Sequence, residues 1–339
     1  MTNKERVLCA IEHREPDYTP YSVTFTSQML ARMIDHTGDP NYFITLNNHI
    51  NKASLKKPLV PIDGKIERFT DEFNIEWDLS GADKDIGFVA HHPLKTADDI
   101  AGYEPPAVDE SFIRMMCEGL VKGRGENLTI ASVGFTIFER GWSLCGMEDL
   151  LCYMLTDPEA VAALFDKLLA YHIERTRIAL EYDIDGIIFG DDWGRQQGLV
   201  MGAPLWKKLI KPRVAALYAE VKKRGKIVMQ HSCGDNSEIL DDLVDIGLDV
   251  YQTFQPEIYD IYAYKRRYAG KLTFWGGIGT QTLLPFGTPG EVYAATRDIA
   301  ARMGAGGGFI AAPTHDMPGD IPPENVVAMM CAFDDQRKS

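Results

Sequence analysis

Short runs of β-branched and aromatic residues recur along the chain. Each closes on a Gly, Asp, His or Pro and is followed by a stretch with helical spacing. The runs are Tyr18–Phe25, Leu128–Val133, Gly186–Gly190, Lys226–His231, Asp249–Phe254, Leu272–Ile278 and Gly307–Ala312. Between them, Ile239, Leu240, Leu243 and Ile246 share a helical face, with Gly247 as a stop. The span Leu205–Arg224 aligns Leu209, Val214, Leu217 and Val221 in the same way. Strands alternating with helices predict a parallel sheet with crossover helices, and an eighth strand has room in an irregular segment. An open dinucleotide-binding sheet needs a glycine-rich turn directly after its first strand. Here Phe25 leads into Thr26-Ser27-Gln28-Met29-Leu30, and the glycines of Gly304–Gly308 precede a strand instead. The pattern therefore predicts an α/β fold of the closed kind, a (β/α)8 TIM barrel, as a single domain over residues 1–339. Residues 37–127 break the alternation. Asp71–Asp78 and Ile86–Pro93 read as short strands and Tyr103–Pro106 as a linker, so this stretch is expected to be an irregular insertion between the first and second strands, near the barrel mouth.

Composition narrows the function classes. At 45% hydrophobic and 25% charged residues, the chain has enough apolar material to pack a core, which excludes general disorder. A net charge of −14 repels phosphate backbones, so no nucleic-acid partner is expected. No run approaches the ~20 apolar residues of a membrane span. The start, Met1-Thr2-Asn3-Lys4-Glu5-Arg6, has no signal-peptide apolar core. Six scattered cysteines do not form a disulfide framework, which points to a reducing cytoplasm. Cys9, Cys117, Cys145, Cys152 and Cys331 fall in helical stretches and read as buried small hydrophobes.

Polar residues collect where the predicted strands end, and in a parallel barrel those ends share one mouth. His231-Ser232-Cys233 is the sharpest of these. Residues two apart in an extended strand project to one side, so an imidazole and a thiol would enter the mouth together. That donor pair suits zinc; His315, at the end of the last strand, is the candidate third ligand and Glu257 an occasional fourth. The competing expectation is a buried Cys and a hydrogen-bonded His. Asp191-Asp192 offers a substrate-orienting carboxylate or a general acid, or else a helix cap, and only one of the two is expected to face the site. Arg140, with Glu139, is either a ligand contact or a surface ion pair. Phe135, Trp142, Trp193, Gln255 and Trp275 lie on or just after strand ends and are candidates to line a substrate pocket, or else belong to the core.

Three segments resemble the uroporphyrinogen decarboxylase superfamily: Arg6–Asp17, the run His231-Ser232-Cys233-Gly234-Asp235, and the ending Pro313-Thr314-His315 with Pro322-Pro323-Glu324-Asn325 behind it. The resemblance implies a (β/α)8 barrel and one of two activities, cofactor-free decarboxylation of a tetrapyrrole or methyl transfer to or from a corrinoid protein. Decarboxylases of the superfamily carry an Arg-Gln-Ala-Gly-Arg segment after the first strand; Phe25–Arg32 stands in its place without the paired arginines. Trp142 falls where their tyrosine would. The His-x-Cys pair matches the zinc signature of the methyltransferase branch, whose third ligand is usually Cys, whereas His315 occupies that position here.

The resemblance thus implies a corrinoid-dependent methyltransferase. It would move a methyl group between a small ether, amine or thiol and a corrinoid carried by a separate corrinoid-binding protein. Zinc would sit on His231, Cys233 and His315, with Asp191, Asp192 and His315 in the catalytic site. The alternatives are a decarboxylase of a tetrapyrrole or other acid, and a non-catalytic corrinoid- or tetrapyrrole-binding protein.

Overall fold

The structure is a computed structural model that describes residues 1–81 and 87–338. The first residue of the expected strand Ile86–Pro93 lies outside the described residues. The strands are β1 (Ile50–Ser54), β2 (Val60–Pro61), β3 (Arg68–Thr70), β4 (Glu76–Asp78), β5 (Phe88–His91), β6 (Leu128–Phe135), β7 (Gly186–Gly190), β8 (Ile227–His231), β9 (Val250–Phe254), β10 (Thr273–Ile278) and β11 (Phe309–Pro313). Seven of them form one sheet in the order β1-β6-β7-β8-β9-β10-β11. The pairs β6–β7, β7–β8, β9–β10 and β10–β11 are parallel. An α/β architecture on a largely parallel sheet is thus as the periodicity predicts.

Two features depart from expectation. β1 lies inside the stretch read as an insertion, yet it belongs to the main sheet. Only Ile50 and Ala53 of its five residues are buried, so it lacks the apolar run that marks its neighbours. Beyond it, β2 to β5 form a separate antiparallel sheet. The expected first strand, Tyr18–Phe25, is an extended segment with isolated parallel bridges at Tyr21–Ala311 and Phe25–Met317. Pro20 there has no N–H to give to a ladder; its carbonyl accepts from Ala311 N at 2.8 Å. On its other side, Tyr21 O accepts from His49 N at 3.1 Å.

The chain forms two compact units. One comprises residues 1–51, 124–128 and 249–339. Its centre is β10 and β11, buried along their whole length, as strands covered on both faces must be. Phe254 stacks on Phe274 at 4.0 Å and on Tyr259 at 5.2 Å. Gly276 lies so close to β9 that a Cβ would sit 2.7 Å from Phe254 N, which excludes any side chain. The helix Pro289–Gly304 starts on a Thr288/Glu291 capping box with Pro289 in its first turn, and buries Val292, Thr296, Ile299 and Met303 at helical spacing.

The other unit comprises residues 52–123 and 129–248. Its longest helix, Pro158–Ala179, is capped by Asp157, which accepts from Ala160 N at 3.1 Å. Arg175 from this helix is buried; its guanidinium donates to the carbonyls of Val133 (3.2 Å) and Leu55, tying the helix to the strand ends. The span Leu205–Arg224 contains a π-turn at Trp206–Ile210 before the helix Lys211–Lys222. Pro212 has no N–H to give and would crowd the preceding turn, which the wider turn relieves. No helix among the described residues is long and apolar enough to cross a membrane.

Candidate metal centre

β7 and β8 run in register with Gly190 opposite His231, so the segments 191–193 and 232–234 leave the sheet side by side. Two glycines let them touch. A Cβ on Gly194 would lie 2.6 Å from Gly234 C, and one on Gly234, where φ is +80°, would lie 2.3 Å from Gly194 C. Asp235 N donates to Arg195 O at 2.8 Å across this contact. Asn236 Nδ2 holds the second segment by donating to Ser232 Oγ, Cys233 O and Gly234 O at 3.1, 3.1 and 3.2 Å.

These backbones aim three side chains at one point. His231 Nε2 lies 3.6 Å from Cys233 Sγ and 3.9 Å from Asp192 Oδ1, and Asp192 Oδ1 also accepts from Cys233 N at 2.7 Å. Tetrahedral zinc with N and S ligands at ~2.05 and ~2.3 Å separates the two donors by about 3.6 Å. The imidazole–thiol spacing therefore fits a shared ion without rearrangement. One ligand atom each of His231, Cys233 and His315 lies within 4.8 Å of the others. Two imidazoles and a thiol are a donor set that suits zinc.

Asp191 and Asp192 divide as adjacent strand residues should. Asp191 is fully buried and accepts from Phe138 N (3.0 Å), Glu139 N (2.6 Å) and Trp193 Nε1 (2.9 Å). It therefore caps the helix Phe138–Cys145 and anchors the Trp193 indole. Burial pushes its carboxyl up to about 6, against three hydrogen bonds that favour the ionised form. Asp192 is the one that faces His231 and Cys233. Glu139 is buried beside both; burial, then the charges of Asp192 and Asp191, raise its carboxyl well above the usual range.

The other expected site residues scatter. Arg140 is in a buried ion pair, 2.8 Å from Asp71, with its guanidinium 3.9 Å over Phe73, so it is not the surface pair that was the alternative expectation. Trp193 is fully buried, edge-on to Trp206 at 5.4 Å. Trp275 and Gln255 are buried as well. Glu257 Oε1 accepts from Gln281 N (3.2 Å) and Thr282 Oγ1 (3.1 Å), and Glu257 does not join the three clustered ligand atoms. Phe135 and Trp142 stay half-buried with their rings 6.5 Å apart, and Trp77 lies 6.2 Å from Phe135. His315 is exposed. Cys9, Cys117 and Cys145 are buried as expected, but Cys152 and Cys331 are exposed on their helices. Sequence reasoning missed Asp71, the buried partner of Arg140, because it lies 69 residues away along the chain.

The sequence model of the family described as Uroporphyrinogen decarboxylase (URO-D) matches residues 78–336. The chain belongs to that family. No curated protein matches it significantly. Among solved structures, a methyltransferase from Methanosarcina mazei superposes with a TM-score of 0.71 at 17% identity, covering 99% of each chain. A B12-independent methionine synthase from Shewanella sp. W3-18-1 reaches a TM-score of 0.46 at 10% identity, over 70% of this chain and 67% of that one. At these identities the first likeness shows the fold alone, and the second carries nothing further.

Proposed function

We propose that this member of the uroporphyrinogen decarboxylase family is a corrinoid-dependent methyltransferase. It would move a methyl group between a small substrate and a corrinoid presented by a separate corrinoid-binding protein in the cytoplasm. The observation that carries the proposal is the convergence of His231, Cys233 and His315 ligand atoms within 4.8 Å. The fold likeness to a methyltransferase supports it. We read the chain as a single (β/α)8 domain in which Tyr18–Phe25 supplies the eighth strand, supported by its bridges to β11 and its bond from His49.

His231, Cys233 and His315 would hold zinc. Bound there, zinc supplies Lewis acidity toward the heteroatom that carries or accepts the methyl group. Asp192 orients the centre: by accepting from Cys233 N it fixes the turn that aims the thiol, and its carboxylate lies beside the His231 imidazole. Asp191 acts at one remove, holding the helix that carries Glu139 and Trp142. Glu139 packs beside Asp192, its carboxyl raised well above the usual range by burial and then by the charges of Asp192 and Asp191.

The test is spectroscopic. The protein is mixed with cob(I)alamin and methyl ethers, methylamines or methyl thioethers, and the cobalt absorbance is followed. Conversion to methyl-cobalt by the wild-type protein and its loss in Cys233→Ala is the expected result. Conversion at the same rate in both proteins contradicts the proposal.

A further inference from the structure

His315 differs from the other two clustered ligands in what carries it. His231 closes β8 and Cys233 lies two residues on, whereas His315 is exposed, past the end of β11, in a stretch without helix or strand that runs to the helix Pro323–Asp335. Pro318 and Pro322 in this stretch have no N–H with which to anchor it. The anchors come from the segment Thr24–Thr26 and the helix behind it. Met317 N donates to Thr24 O at 3.0 Å, Thr26 N donates to Met317 O at 3.1 Å, and the Met317 side chain is buried. On the other side of His315, Thr314 N donates to Ile278 O at 2.9 Å. Thr24 Oγ1 donates to Asp316 Oδ1. Arg32 Nη1 donates to the carbonyls of Gly319 and Ile321, the second at 3.1 Å. Arg32 lies on the helix Ser27–Thr37, whose first turn is held by Thr26 Oγ1, which accepts from Met29 N at 3.3 Å.

An exposed imidazole goes where its backbone goes. A ligand that must be ordered as it binds gives up affinity to lost chain and rotamer freedom, and one already held does not. Two imidazoles on a tetrahedral ion place their nitrogens only about 3.3 Å apart, so small displacements of the carrying loop matter. Thr314 and Met317 are fixed points, with only His315 and Asp316 between them. Thr24 holds the Asp316 side chain, and the Arg32 guanidinium fixes the far end of the loop with charge-assisted bonds to main-chain carbonyls. We propose that Arg32 and Thr24 are positioning residues: they strap the loop after β11 so that the His315 imidazole stays within reach of an ion shared with His231 and Cys233. This rests on the metal centre of the methyltransferase reading and adds to it the residues that hold its loop-borne ligand.

Zinc affinity is measured on the full chain by competition with a chromophoric chelator, without corrinoid, and the ligand field is read from the absorption of the cobalt(II)-loaded protein. Arg32→Ala should weaken zinc about 10–100-fold and Thr24→Val about tenfold. Arg32→Lys and Thr24→Ser should retain most of the affinity. The cobalt spectra of the two weakened variants should move toward that of His315→Ala and keep the thiolate charge-transfer band of Cys233. The deciding measurement is a double-mutant cycle: in a His315→Ala background neither substitution should weaken zinc further, because no imidazole is left to position. Should Arg32→Ala fail to fold, Thr24→Val carries the same cycle. Equal zinc affinity in wild type, Arg32→Ala and Thr24→Val overturns the proposal. So does a loss as large without His315 as with it, the mark of a general structural role, and so does a wild-type protein that takes up no zinc. Zinc binding coupled to Arg32 through His315, without methyl-cobalt formation from any donor, would defeat the methyltransferase reading and leave the strap standing. Methyl-cobalt formation with zinc affinity indifferent to Arg32 and Thr24 would do the reverse.

Discussion

Two charged corners follow strand ends in the same compact unit, and they behave in opposite ways. At one, Arg140 and Asp71 keep only 6% of their side chains exposed. Asp71 accepts four donors: Phe73 N (2.9 Å), Ile75 N (3.1 Å), Trp77 Nε1 (3.2 Å) and Arg140 Nη1 (2.8 Å). At the other, His231 and Asp192 keep 27% and 34% exposed, and the His231 imidazole lies 3.6 Å from Cys233 Sγ and 3.9 Å from Asp192 Oδ1. A buried charge with its counter-charge in contact is architecture. Donors that converge within reach of one ion, held by closely packed backbone segments, are arranged for a ligand.

The comparison breaks or sharpens under substitution. The largest effect belongs to the open corner: Cys233→Ala removes the sulfur ligand and should reduce methyl transfer by at least about a hundredfold, with the thermal midpoint nearly unchanged. A large loss of stability with activity per folded molecule intact would reverse the two roles. At the closed corner, Asp71→Ala should leave the Arg140 charge buried and uncompensated, at a cost of about 3–5 kcal/mol in urea unfolding. Replacing both partners, as in Asp71→Leu with Arg140→Met, should recover much of that. Asp192→Asn probes the boundary between the corners. It should lower metal affinity about 10–100-fold in a chelator competition, with little change in unfolding.

The smallest effect concerns a second closed site. His49 is fully buried, its Nδ1 accepts from Tyr21 N at 3.2 Å, and burial pulls its pKa down to about 3. The folded state therefore binds fewer protons than the unfolded one between about pH 3 and the unfolded value near 6.5. Its contribution is intact above pH 6.5 and is lost as pH falls toward 3, by at most about 1.4 kcal/mol per pH unit. His49→Gln should flatten the fall of the urea midpoint between pH 6.5 and 5. An unchanged slope would show that His49 does not set it.

Much of this was legible in the chain. β6 to β11 stand out because strands covered on both faces must be apolar throughout. His231 and Cys233 follow from the two-residue period of a strand. The division of Asp191 from Asp192 was expected in kind, but which one faces inward depends on the N–H groups of Phe138 and Glu139, over fifty residues away. The burial of the Arg140 ion pair was hidden for the same reason, since its partner Asp71 lies 69 residues earlier, in the turn after β3. β1 was hidden because Asn51, Lys52 and Ser54 alternate with its two buried residues.

Metal content is the most direct measurement. The wild-type protein and the Cys233→Ala and His315→Ala variants are dialysed against a weak chelator and assayed for zinc by elemental analysis. About one zinc per chain in the wild type, and little in either variant, is the predicted outcome. No zinc in the wild type after reconstitution, or equal zinc in all three proteins, would contradict the assignment of these side chains to one ion.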